Sequence, residues 1–384
     1  MNFEQLFAEN KEQSISGRYL TLESISTFLK RINTDNQLHV VGQSVLGKPI
    51  YKYLIGEGKT RIFLWSQMHG NESTTTKALL DFFNVLHNGS DLAKELLSNF
   101  TFCALPMLNP DGSNAYTRVN ANDVDLNRDS QELSQPESIV LWEVFDDFKP
   151  HYCYNLHDQR TIFGVGDTSK PATMSFLAPS YNKKCEINES RLKAINLIAG
   201  INDILQQFIP NQIGRFDDSF NINCVGDAFQ AIGVPTLLFE AGHYPDDYQR
   251  EVTRKFVFFA LVSSFIILSE NDIVGNRMDD YLKIPQNSVV FYDFLYKNVK
   301  INYDGIEKIT NFAAQYKEEL IDDKICFNAY VSEIGDLEGK SGHYEYDANG
   351  VLYTDENDNI PEVGQKADFY LTKNIKFVNG LVKM

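Results

Sequence analysis

Three apolar runs in this 384-residue sequence each stop at a polar residue able to do chemistry. RIFLWSQM leads into His69-Gly-Asn-Glu72, YCYNL into His157-Asp158, and PTLLF into Glu240. Two histidines and a carboxylate suit a catalytic zinc site, which takes three N/O ligands and leaves a position for water. His69 and Glu72 are three residues apart in a segment leaving a strand, so both side chains can reach one ion. A distant third ligand, here His157, is usual for such sites. Glu240 directly follows five apolar residues, so its carboxylate is either buried and paired or aimed into a cleft. In a cleft it is suited to act as general base toward a water activated by the metal. Taken alone, each residue has a plainer reading. HxxE is short, recurs by chance, and reads first as a satisfied loop histidine; Glu240 fits either description.

The stretch Asn109–Ser130, NPDGSNAYTRVNANDVDLNRDS, is the richest in polar chemistry. It carries Arg118 and Arg128, whose guanidinium forks match carboxylates bidentately. The same composition also makes a polar loop of Asx turns with surface arginines.

These residues need a scaffold that gathers strand ends. In open α/β sheets, ligands bind outside the carboxyl ends of the strands. Apolar, strand-like runs fall at Gln37–Val41, Ile50–Ile55, Arg61–Ser66, Thr101–Met107, Tyr152–Leu156 and Pro235–Phe239. Helical spacing falls at Ser73–His87, Pro136–Phe148, Glu189–Ile209 and Asp247–Leu268, with two short helices before residue 36. The alternation predicts an α/β fold, with a mixed, mostly parallel sheet flanked by helices. The pattern changes near residue 275. Short alternating segments such as Val289–Phe294 and Ala367–Leu371 then follow, separated by turns such as Asp347-Ala-Asn-Gly. Residues 1–274 are therefore expected to form the catalytic domain, and 275–384 a small C-terminal β-rich domain.

Composition narrows the partners. Lys and Arg number 35 against 52 Asp and Glu, a formal charge of −17. Such a surface repels nucleic acid and an anionic membrane face. The five cysteines include no CxxC and read as reduced thiols, which fits a cytoplasmic location. The opening MNFEQLFAENKEQ has neither the basic nor the apolar region of a secretory signal. The longest apolar run, Phe256–Leu268, is too short to span a bilayer and is expected to be a buried helix.

The order of the motifs resembles the zinc carboxypeptidases of the M14 family: strand–HxxE, NPDG, R…DLNR, strand–His, strand–Glu. The preceding VVGQSVLGKPIYKYLIGEGK is similar to that family's approach to its first ligand pair. RVNANDVDLNR is similar to bacterial members, including those that cleave peptidoglycan-derived peptides. The resemblance covers roughly residues 38–268. It implies one Zn2+ held by His69, Glu72 and His157. It implies that Glu240 activates the water and passes its proton to the leaving amine. Arg118 would polarise the scissile carbonyl and stabilise the oxyanion. Asn127 and Arg128 would grip the terminal carboxylate, and Asp125 would fix the tautomer of His69. The substrate would be a peptide or small amide with a free carboxylate.

Several positions depart from that pattern. The family often places a tyrosine some twenty residues before its glutamate, whereas RFDDSFNINCVGDAFQ has none, and Phe216 and Phe220 offer no phenol. DLNR is followed by Asp129-Ser130, and His157 by Asp158-Gln-Arg160. Asp217, Asp218 and Asp227 form either an acidic subsite or a set of solvated and turn residues. HGNE, DLNR and Glu-Ala-Gly are also similar to the succinylglutamate desuccinylase and aspartoacylase group. Those enzymes share the zinc core and carry a C-terminal β domain that narrows the site to small N-acyl amino acids. NPDG and the Arg118–Arg128 segment favour the peptidase. A third reading, a peptide-binding domain without catalysis, is opposed by the retention of all three ligands, Glu240 and Arg118.

Overall fold

The computed structural model describes residues 1–384 except 271–274, 357–359, 373 and 384. The chain divides into two compact units. Met1–Gln159 and Ala172–Asn287 form the first; Arg160–Pro171 and Ser288–Met384 form the second.

The first unit opens with α1 (Phe3–Asn10) and α2 (Leu22–Ile32), the latter started by a Thr21/Ser24 capping box. Five strands and four helices follow: β1 (Leu38–Gln43), β2 (Pro49–Ile55), β3 (Thr60–Ser66), α3 (Thr74–His87), α4 (Asp91–Asn99), β4 (Phe100–Leu105), α5 (Pro110–Ala115), α6 (Pro136–Phe148) and β5 (Tyr152–Asp158). After β6 (Phe163–Val165), which lies in the second unit's segment, come β7 (Met174–Leu177), α7 (Glu189–Leu205), β8 (Ile213–Arg215), α8 (Val225–Ala231), β9 (Thr236–Ala241), α9 (Glu251–Ser269) and α10 (Met278–Lys283).

One mixed sheet of eight strands, in the order β1-β2-β4-β3-β5-β9-β7-β8, organises this unit. Its centre, β4-β3-β5-β9, is parallel, while β1, β2 and β7 pair antiparallel. The central strands are apolar throughout because both faces are covered. Leu79, Phe82, Ile198 and Phe258, from α3, α7 and α9, pack on one face, and Leu141, Phe145 and Phe229, from α6 and α8, on the other. The expected mixed α/β sheet is therefore present. α9 is long and apolar enough by composition to cross a membrane, yet two thirds of that stretch is buried in this core. It is the buried helix that its phenylalanines indicate.

The sequence places the domain break near 275. By contacts α10 stays with the first unit, where Tyr281 is 1% exposed and its hydroxyl accepts the Ala178 N–H at 3.2 Å. No compositional change marks the Arg160–Pro171 excursion. After β10 (Asn287–Val289), the second unit builds a four-stranded sheet in the order β13-β12-β11-β14. Its strands are β11 (Phe291–Tyr303), β12 (Ile306–Ile321), β13 (Lys324–Gly335) and β14 (Ser341–Asp347). A smaller sheet joins β15 (Tyr353–Thr354), β16 (Phe369–Leu371), β17 (Ile375–Val378) and β18 (Leu381–Val382). Tyr296, Phe312, Phe369 and Phe377 form an aromatic core between the two sheets.

Candidate metal centre

β3 and β5 are parallel neighbours, so their carboxyl ends lie at the same edge of the sheet. β3 delivers His69 and Glu72 in the turn before α3, and β5 delivers His157. All three are buried, and one ligand atom from each lies within 4.8 Å of the others. His69 Nδ1 is 2.8 Å from Glu72 Oε1, His157 Nδ1 is 2.8 Å from Oε2, and the two Nδ1 atoms are 3.1 Å apart. Among the described residues this is the one such cluster.

The donor chemistry fits a single zinc ion. Asp125 Oδ1 sits 3.0 Å from His69 Nε2, so a neutral His69 places its proton there and turns the Nδ1 lone pair toward Glu72. That lone pair then faces a carboxylate, which a dication resolves and a proton on each imidazole does not, because two Nδ1–H groups would meet head-on. Burial opposes the charge on Glu72, but His69 and His157 together hold its carboxyl far below the usual range. Nε2 of His157 is buried with no hydrogen-bond partner among the described residues.

The surrounding residues fix these ligands. Asp125 also accepts the Asn127 N–H at 2.9 Å, and its Oδ2 accepts Arg118 Nε at 3.0 Å. Arg118 Nη1 lies 3.3 Å from Glu72 Oε1, which brings a half-exposed guanidinium to the cluster. Glu240 stands on β9 directly opposite His157 in parallel register, so both side chains leave the same face of the sheet. Glu240 is half-buried. Burial, with the negative charges of Glu72 and Asp158, pushes its carboxyl well above the carboxylate range, against Arg118 and Arg250.

Asn127 and Arg128 occupy a short 3-10 turn, Leu126–Arg128. Asn127 Oδ1 accepts the Val225 N–H at 3.1 Å, and the exposed Arg128 donates to Cys224 Sγ at 3.2 Å. The acidic residues take different partners, although Asp218 and Asp227 both lie near Arg191. Asp218 pairs with the buried Arg191 at 2.5 Å, and Asp217 accepts the Ser219 N–H in a turn. Asp227 is buried on α8, which raises its carboxyl to about 7.

The glycines of the motifs are steric. A Cβ on Gly70 would lie 1.9 Å from the Gly112 carbonyl carbon, so HGNE and NPDG meet backbone to backbone. Asn109 caps α5 through the Gly112 N–H at 2.8 Å and donates to Met68 O at 3.1 Å, tying this loop to the residue before His69. NPDG therefore supports the ligands and does not reach for substrate.

Two participants escape a reading by motif. Asp158 accepts the N–H groups of Thr74 and Thr75, at 2.9 and 3.2 Å, and so caps α3 from the end of β5. Its backbone N–H donates to Glu72 Oε2 at 3.1 Å. The only signal was its place after His157, and nothing local says that it caps a helix eighty residues away. The second is Arg250, fully buried at the start of α9.

The similarity to zinc carboxypeptidases is borne out by comparison. Residues 25–165 match the family model described as zinc carboxypeptidase. That stretch holds every proposed ligand and both arginines, while Glu240 lies outside it. A probable carboxypeptidase 2 of Trichophyton verrucosum (strain HKI 0517) is 26% identical over 188 residues, spanning 48% of this chain and 34% of that protein. Carboxypeptidase SOL1 of Arabidopsis thaliana is 30% identical over 192 residues, spanning 42% and 39%. The chain thus spans about a third of the length of the curated relatives it matches. Among solved structures, a metallo-carboxypeptidase from Burkholderia cenocepacia aligns with a TM-score of 0.53 at 17% identity, covering 66% of this chain and 70% of that one. This likeness speaks for the fold.

Proposed function

We propose that this chain is a zinc metallocarboxypeptidase that hydrolyses the amide bond next to a free carboxylate. The observation that carries the reading is the convergence of His69 Nδ1, His157 Nδ1 and the Glu72 carboxylate, with Glu240 one strand away. His69, Glu72 and His157 would hold the ion, which when bound lowers the pKa of a water and polarises a carbonyl. Glu240, in register beside His157, takes the proton of the attacking water and returns it to the leaving amine. Arg118 offers N–H donors to the developing oxyanion while Asp125 holds its Nε. Arg128 and the Nδ2 group of Asn127 meet the terminal carboxylate, since Oδ1 of Asn127 is engaged with Val225.

The test is a screen of peptides with free C-termini against N-acyl amino acids, with and without chelator. Release of C-terminal residues that stops with chelator and returns with zinc supports the peptidase. Cleavage confined to N-acyl amino acids would instead make the chain a deacylase. In Glu240→Gln, zinc is expected to stay bound while turnover falls by at least ~100-fold. Undiminished turnover in that variant would sink the base assignment.

A further inference from the structure

Beyond the residues assigned above, one buried arginine ties together the two strands that carry His157 and Glu240. Arg250 is 1% exposed and opens α9 with a left-handed backbone, φ 61° and ψ 25°. A non-glycine residue adopts that conformation at a cost. Asp247 holds it there. The Asp247 carbonyl accepts the Arg250 N–H, and its carboxylate accepts the N–H groups of Glu251, Val252 and Thr253. The guanidinium is thereby aimed at the sheet. Its Nη1 donates to Ala241 O at 2.7 Å, and Nη2 to Gln159 O at 2.9 Å.

These two carbonyls sit at the end of the parallel ladder. Asp158 and Ala241 are its last paired residues, and Gln159 N–H still reaches Ala241 O at 2.8 Å. The fork stands where the next rung would be. Ala241 follows Glu240, and Gln159 lies two residues past His157. The end has little slack: a Cβ on Gly242 would meet Ala172 O at 1.9 Å and Gln159 Nε2 at 2.4 Å.

We infer that Arg250 is a positioning residue, which fixes the separation of the metal-ligand strand and the base-bearing strand by bridging their carboxyl ends. The inference rests on the roles proposed for His157 and Glu240. A planar fork bridges two carbonyls in one fixed geometry, whereas a lysine ammonium keeps the charge without the fork.

The test compares Arg250→Lys with Arg250→Gln and the wild type. In both variants kcat is expected to fall by ~10- to 100-fold, the scale of an ångström of misplacement. KM and zinc affinity are expected to change by less than about threefold, since neither the ligands nor the carboxylate grip is removed. Hydrogen exchange at the Gln159 amide, read by mass spectrometry in metal-free and zinc-loaded protein, is expected to quicken in both. Full activity in Arg250→Lys would overturn the inference, because charge alone would then suffice. So would unchanged exchange at Gln159, or a loss of zinc affinity as large as the loss of kcat. If Arg250→Gln does not fold, Arg250→Lys, which keeps the buried charge, decides. If the wild type hydrolyses nothing, the proposed function fails, and the exchange arm by itself judges the bridge.

Discussion

At the scale of single residues, the centre depends on which nitrogen of each imidazole faces the ligand point. Asp125 settles this for His69 by taking Nε2, and the same carboxylate holds Arg118. Partners of this kind affect metal affinity by ~10- to 100-fold. Asp125→Ala is therefore expected to weaken zinc binding by that factor in a chelator competition, while the fold persists. Unchanged affinity would show that packing alone orients His69. The buried Nε2 of His157 has no such partner among the described residues. The RFDDSFNINCVGDAFQ stretch has no tyrosine, so the carboxylate grip proposed for Asn127 and Arg128, both anchored next to α8, would have no phenol from that stretch to assist it.

At the scale of elements, the site is held by exchanges between segments remote in sequence. Asp158, at the end of β5, satisfies two of the unpaired N–H groups at the start of α3, where Ser73 makes no side-chain cap. Removing such a cap costs ~1–2 kcal/mol. Asp158→Ala is expected to lower the melting temperature by several degrees and to reduce activity, because α3 follows directly on Glu72. A melting curve that overlays the wild type would remove Asp158 from this role. Asn109 acts similarly between α5 and the loop that carries His69.

At the scale of the whole molecule, the first unit is closed by an ionic knot that pins the N-terminal segment to α3 and α9. Glu251 pairs with Lys77 at 2.6 Å, Lys11 at 2.9 Å and Arg254 at 3.1 Å. Lys77 also donates to Gly17 O, and Arg254 to Ile15 O and Glu12 O. Burial opposes the charge on Glu251, but these cations draw its carboxyl from 4.5 to about 2. A carboxyl with a depressed folded pKa stabilises fully above its unfolded value. That contribution, on the order of 2–3 kcal/mol, is lost as pH falls from about 4.5 through about 2. Glu251→Gln is expected to lower the melting temperature at pH 7 and to flatten its decline across that acid range. An unaltered slope would place the acid sensitivity elsewhere.

The sequence by itself determined the donor types, the strand ends that carry them and the mixed α/β layer, because apolar runs and helical spacing are local properties. The run Arg61–Ser66 and the helix Pro136–Phe148 were legible for that reason. β7, β8, α4, α5 and α8 were not, being short elements fixed by their neighbours and not by a period of their own. Within Asn109–Ser130, sequence could not separate Arg118, which reaches the cluster, from Asn109 and Gly112, which brace the loop. Only the tertiary structure decided that His157 faces Glu240 in register, that Asp158 caps α3 and that Arg250 bridges the strand ends. Each of these is a contact between residues far apart in the chain, set by strand order and register, and no local pattern encodes such a pairing.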